Sequence, residues 1–140
     1  MKIKVPIQIV GLEESNFHIL IHSEFEDGTN RNWVIDTGAS KTVFDENLKG
    51  CYKVIGKSED LFSAGIDQQP VKSSLAIIKQ VKFGELKITE LKVALLNLNH
   101  INDLYQKSVQ LEICGLLGGD FLMKYQAKIN YKKKLLVLRC

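Results

Sequence analysis

Trp33-Val34-Ile35-Asp36-Thr37-Gly38-Ala39-Ser40 decides how the rest of the chain is read, because an unbroken apolar run delivers a carboxylate into a turn of small residues. Three consecutive apolar residues predict a strand over Asn32 to Asp36 that is buried on both faces. An acid at the end of such a strand needs compensation, since burial disfavours its ionised form. Either the following amides and hydroxyls hold it, or a neighbour shares its proton. Gly38 and Ala39 let backbone approach the carboxylate closely, and Thr37 and Ser40 bring hydroxyls. On average residue usage an Asp-[Ser/Thr]-Gly tripeptide arises by chance in about 5% of chains this long. Taken alone, therefore, the turn is first read as a plain strand end.

Upstream, Phe17, Ile19, Ile21 and Phe25 alternate with His18, His22, Glu24 and Glu26, the period of a half-buried strand that ends at the Asp27-Gly28 turn. Other strands are expected over Ile3 to Val10, Thr42 to Phe44, Leu75 to Phe83, Leu86 to Leu98, Ala127 to Tyr131 and Leu135 to Leu138. Helical signals are few. Ile101, Leu104, Tyr105 and Val109 share one helical face, with Asn99 or Asn102 available as a cap. Asp120 opens a second short apolar run to Tyr125, with the acid at its positive end. Between Lys57 and Ser74 lies a polar stretch carrying Gly65, Gln68, Gln69 and Pro70, readable as an exposed hairpin or a loop. The fold class is mainly β.

Length and composition agree with this. The chain has 140 residues, 45% hydrophobic and 25% charged, and two prolines, which suits one domain spanning 1–140 and excludes collagen-like or disordered classes. A chain this size removes roughly two-thirds of its unfolded surface from water and needs no staples. Nineteen Lys and Arg against sixteen Asp and Glu give +3, with the basic residues scattered, so nucleic acid is not the expected partner. Cys51, Cys114 and Cys140 are odd in number and widely spaced, which fits a reducing compartment. No apolar run approaches the ~20 residues that span a bilayer, and no signal peptide is read at the start. The expectation is a cytoplasmic protein without a membrane contact.

A second segment changes the weight given to the first. Ile113-Cys114-Gly115-Leu116-Leu117-Gly118-Gly119-Asp120-Phe121-Leu122 sets an apolar pair, a glycine, one spacer and an acid at the start of a short helix near the C-terminus. With Asp36-Thr37-Gly38-Ala39-Ser40 upstream, the chain resembles the retropepsin-like aspartic proteases, in particular their bacterial single-domain members. The resemblance runs nearly the whole length in order. It implies a retropepsin-like fold, a closed barrel or sandwich of hairpins with one or two short helices, and an endopeptidase acting on peptide or protein substrates without a cofactor. Amide hydrolysis of this kind needs one carboxylate to take a proton from water and another acid to protonate the carbonyl oxygen. Two carboxyls about 3 Å apart cannot both ionise and so share a proton, an effect for which aspartic proteases are the standard illustration.

This chain has one Asp-Thr-Gly, so the resemblance implies a homodimer in which Asp36 meets its copy on a two-fold axis. Thr37 would interlock across that axis, and Gly118 would lie where a strand passes close behind the turn. Ala64, Gly65 and Ile66, within Phe62 to Asp67, would form a flap over bound peptide, against the alternative of a plain surface loop. Viral relatives commonly carry an acid at the position of Ser40 and an arginine at that of Gly119, and their terminal strands interleave. Both charged residues are missing here, and the part taken by Met1 to Val10 and Leu135 to Cys140 is left open.

Other candidates are weaker. His18 and His22 stand about 13 Å apart on a strand, too far to share a metal. Cys114 reads as a buried small residue, Asp120 as a helix cap, and Lys132-Lys133-Lys134 as a solvated hairpin turn. The competing function is a catalytically silent module of the same fold that only binds peptides, as a monomer or weak dimer.

Overall fold

Period-two patterning builds most of the molecule. The computed structural model describes residues 1–61 and 71–140. In chain order the elements are β1 (Lys2–Pro6), β2 (Gln8–Glu13), β3 (Asn16–Phe25), β4 (Asn30–Ile35), β5 (Val43–Asp45), a 3-10 turn (Lys49–Cys51), β6 (Lys53–Leu61), β7 (Val71–Phe83), β8 (Leu86–Leu96), α1 (Asn99–Val109), β9 (Ile113–Leu117), α2 (Gly119–Lys124), β10 (Lys128–Asn130) and β11 (Leu135–Arg139). None of the described helices is long and apolar enough to cross a membrane.

Eight strands form one sheet in the order β2-β3-β4-β9-β5-β8-β7-β6, and a further β3–β7 pairing closes it into a ring of six with β2 and β6 outside. Glu24 faces Lys82 and Phe25 faces Val81 across that closure. The remaining three strands make a small sheet, β1-β11-β10. Side chains from both sheets share one buried apolar cluster, including Val5, Ile21, Trp33, Phe83, Phe121 and Leu136.

Trp33 anchors the interior of the ring. Its side chain is fully buried, with ring centroids 6.5, 5.6 and 5.9 Å from Phe25, Phe44 and Phe83. Its indole N–H donates to Ser23 Oγ at 2.7 Å, so the one polar atom of this large side chain is satisfied in the core. The expected two-faced burial of Trp33-Val34-Ile35 is present, because Trp33 and Ile35 pack into the interior cluster while Val34, on the other face, packs with Leu20 and with Tyr105 of α1.

Four expectations change. Ile3 to Val10 is not one strand: Pro6 has no N–H to continue a ladder, and the chain crosses at Ile7 from the small sheet to the large one, the Ile7 amide bonding Lys134 O. Phe17 does not join the inward face of its strand but stands 68% exposed, beyond the reach of the ring. Neither asparagine caps α1 through its side chain. Leu98 is the N-cap residue, Asn97 Oδ1 accepts the Asn99 amide, and Asn102 instead bonds both backbone groups of Ile113. Asp120 is likewise not the N-cap residue of α2, which is Gly118; it sits inside the first turn and accepts the Phe121 amide from there. Of the polar stretch, β6 and β7 pair antiparallel; Ala64, Gly65 and Ile66 lie outside the described residues.

Candidate active site

Asp36 is the first residue past β4, and its position follows from how β9 is threaded. β9 runs between β4 and β5, parallel to the first and antiparallel to the second. Gly115 makes this threading fit: a Cβ there would lie 2.3 Å from Val43 O and 2.6 Å from the Trp33 ring. At the far end of β9 the Asp36 amide donates to Leu117 O at 2.9 Å, which fixes the acid at the mouth of the sheet.

The turn then folds back on the carboxylate. The Gly38 amide donates to Asp36 Oδ1 at 3.0 Å, and the Ala39 amide donates to Asp36 O at 3.1 Å. Ala39 is buried, whereas Thr37, Gly38 and Ser40 are exposed. The five residues named from the sequence therefore form one loop, with Asp36 half-buried and Thr37 facing outward.

Gly118 passes directly behind that loop. A Cβ at this position would meet Lys41 O at 2.6 Å and Ala39 O at 2.7 Å, both rigid backbone atoms. Next to it the Gly119 amide donates to Ala39 O at 2.7 Å and the Asp120 amide to Ser40 O at 3.3 Å. Gly119 has no such crowding at its own Cβ.

Thr42, which sequence reasoning treated only as a strand residue, ties the two segments together. It is 1% exposed. Its hydroxyl donates to Asp120 Oδ1 at 2.8 Å and accepts the Gly118 amide at 3.2 Å. Asp120 Oδ1 also takes the Phe121 amide at 2.8 Å, so this acid serves the clamp and the helix start together. A buried hydroxyl just after a small-residue turn was the available signal; what Thr42 bonds is set by the threading of β9.

A hollow of about 300 Å³ opens beside Asp36 and Thr37, lined by Ile19, Val34, Ile101, Leu116 and Ile129, with Phe17, His18 and Tyr131 at its walls. Among the described residues Asp36 is the one acid that lines it. The His18 ring is hydrogen-bonded through Nδ1 to the Tyr105 hydroxyl from α1, and burial pushes that hydroxyl's pKa up. A larger hollow, about 560 Å³, lies toward the opposite end of β4 and β9, but its walls are largely amides such as Asn32, Asn47 and Asn102 and it does not touch the Asp36 turn. Cys114 is buried on β9, which raises its thiol well above the ordinary range and leaves it unsuited to nucleophilic work.

A strand-end Asp-Thr-Gly turn, backed by a glycine-bearing strand threaded beside it, defines an acid-protease class of fold. The family model described as aspartyl protease matches residues 22–121, and the chain belongs to that family. Its fold is retropepsin-like: a retropepsin-like aspartic protease from Rickettsia conorii aligns over 99% of this chain and 90% of its own, with TM-score 0.53 and 16% identity. A crystal structure of edgp aligns over 99% of this chain with TM-score 0.58 and 10% identity, this chain covering 46% of that one. Among curated proteins the comparison finds no match.

Proposed function

We propose that this chain, residues 1–140 as one domain, is an aspartic endopeptidase that works as a homodimer, with Asp36 of each copy sharing one proton and activating one water. The observation that carries this reading is Asp36 itself: a carboxylate held at the mouth of the sheet by the Gly38 amide, backed by Gly118, beside an apolar hollow. One carboxylate per chain cannot act as base and acid at once, and two-fold symmetry supplies the second.

In this mechanism the ionised carboxylate takes a proton from water as the oxygen attacks the scissile carbonyl carbon. The protonated partner donates to the carbonyl oxygen, giving a neutral diol. Collapse of the diol breaks the C–N bond: the protonated carboxyl donates to the leaving nitrogen while one diol hydroxyl gives its proton to the other carboxylate, so that a carboxylic acid, an amine and a singly protonated pair result. Thr37 braces the two loops across the axis, the Gly38 amide holds the carboxylate, and Ala39 and Ser40 support the turn, Ala39 by bonding Asp36 O and Ser40 by accepting the Asp120 amide. The apolar hollow takes an apolar substrate side chain, and Ala64, Gly65 and Ile66 are assigned to the flap that closes over the peptide. The free cysteines agree with a cytoplasmic setting.

The test is Asp36→Asn against a diverse peptide library, read by mass spectrometry. Cleavage should vanish while the far-ultraviolet spectrum and sedimentation stay those of the parent. Full peptidase activity in the variant would refute the assignment. A folded protein that captures peptides but never cuts them, with Asp36 intact, would favour the silent binding module instead.

A further inference from the structure

The geometry points to His18 as the residue that sets the preference of the hollow beside Asp36: its Nε2–H, oriented by Tyr105, selects a tyrosine side chain of the substrate over a phenylalanine. This deepens the peptidase reading and rests on it. The placement comes from register. Leu20 stands opposite Val34 on β3 and β4, and two residues further on the same register sets His18 across from Asp36. Opposed residues on antiparallel strands share a face, and alternation puts this pair on the face of Leu20, Val34 and Tyr105, which pack together. Both His18 and Asp36 line the hollow.

The tautomer comes from Tyr105. This residue is fully buried, and among the described residues its hydroxyl bonds His18 Nδ1 alone. Burial raises the pKa of the phenol, so it keeps its proton. A buried O–H needs an acceptor, and Nδ1 is the one at hand, so the hydroxyl donates and Nδ1 accepts. In a neutral imidazole the hydrogen then sits on Nε2. Nε2 lies on the other side of the ring, bonds no described residue, and belongs to a half-buried side chain at the wall of the hollow. The wall therefore carries a neutral donor of fixed direction.

The surroundings choose what that donor meets. Ile19, Val34, Ile101, Leu116 and Ile129 require an occupant with an apolar body. Its tip must accept a hydrogen bond. A substrate carboxylate is repelled by Asp36 in the same hollow, and an amide brings N–H groups that apolar walls leave unpaired. A phenol meets both conditions: its ring lies against the walls, its oxygen accepts from Nε2–H, and its own O–H is left to solvent at the half-exposed edge. Phenylalanine in the same place covers the donor without pairing it.

The test is a set of matched peptides, built on one that the parent cleaves, with Tyr or Phe placed in turn at each residue flanking the cut. At the position that reaches the hollow the parent should favour Tyr by about tenfold in kcat/KM, the worth of one hydrogen bond to a donor otherwise left unpaired. His18→Phe should bring that ratio to about one, whereas His18→Gln, whose amide keeps a donor at similar reach, should retain most of it. Tyr105→Phe should lower the ratio through KM. Far-ultraviolet spectra check that each variant folds. A merely structural His18 would slow both peptides alike. A parent without a Tyr preference at any position, or a preference that survives His18→Phe, overturns the assignment and leaves the two-carboxylate mechanism standing. If the chain binds peptides without cutting them, a Tyr preference in Kd that His18→Phe abolishes upholds the subsite although the peptidase reading fails. A chain that neither cuts nor binds them overturns both.

Discussion

Gly118 and Thr42 carry no chemistry, yet the placement of Asp36 depends on them. Replacing Gly118 with Ala puts a methyl 2.6 Å from Lys41 O and 2.7 Å from Ala39 O. Overpacking against backbone costs about 1–3 kcal/mol or more. Gly118→Ala should therefore lower the urea midpoint and reduce kcat together, and a variant of parental stability and rate would contradict the clamp. Thr42→Val removes the donor to Asp120 and the acceptor of the Gly118 amide. Leaving such buried groups unpaired costs about 1–3 kcal/mol, while Thr42→Ser should restore most of it. Denaturation curves of the pair decide whether the hydroxyl or the methyl matters. Much at this scale was legible in advance. An acid after a two-faced apolar strand, and a glycine before a short helix, are local patterns. Thr42 was not legible because its partners lie at 118 and 120, and Gly115 was not because its crowding comes from Trp33 and Val43 on two other strands.

Among the elements, β4 followed from its run of apolar residues, whereas β9 was not among the expected strands, because Ile113 to Leu117 was read only as the apolar lead-in to the Gly118 turn. The split between β1 and β2 was not expected either, although Pro6 was in view, because an apolar alternation continues across it and only the three-dimensional path separates the two sheets. α1 was found by its spacing, but Leu104 is exposed and Tyr105 alone of its residues is buried. The helix holds to the ring through Ile101, Tyr105 and Val109 packed against Val10, Leu20 and Val34, and through Asn102 on Ile113 and Tyr105 on His18. The phenol has a consequence for pH. Burial raises the Tyr105 pKa above its ordinary 10.0, so the fold favours the neutral form. The unfolded chain ionises first, and the stabilisation is complete below about pH 10 and is lost as pH climbs beyond it. The urea midpoint of the parent should fall more steeply above pH 10 than that of Tyr105→Phe. Equal slopes would mean that another group governs alkaline unfolding. Because Tyr105 bonds His18 at the wall of the hollow, Tyr105→Phe should also raise KM for apolar substrates more than it changes kcat.

At the scale of the molecule, the proposed mechanism makes activity a property of the pair, since each chain carries one Asp-Thr-Gly turn. A coupled pair that works with a single proton is most active in mildly acidic solution, and the rate should form a bell with pH. A rate still rising above neutral pH would point to a different base. Dilution should lower specific activity once the pair dissociates, and transition-state mimics of the diol should oppose that loss by binding only the dimer. The most direct measurement is a mixing experiment: active chain held constant, Asp36→Asn chain added in increasing excess, subunits allowed to exchange, and cleavage followed. If two Asp36 carboxylates act on one water, mixed dimers are dead and activity falls to about half in an equal mixture and toward zero in excess, as random pairing on a two-fold axis requires. Activity that stays constant as the inactive chain is added would contradict a shared catalytic pair.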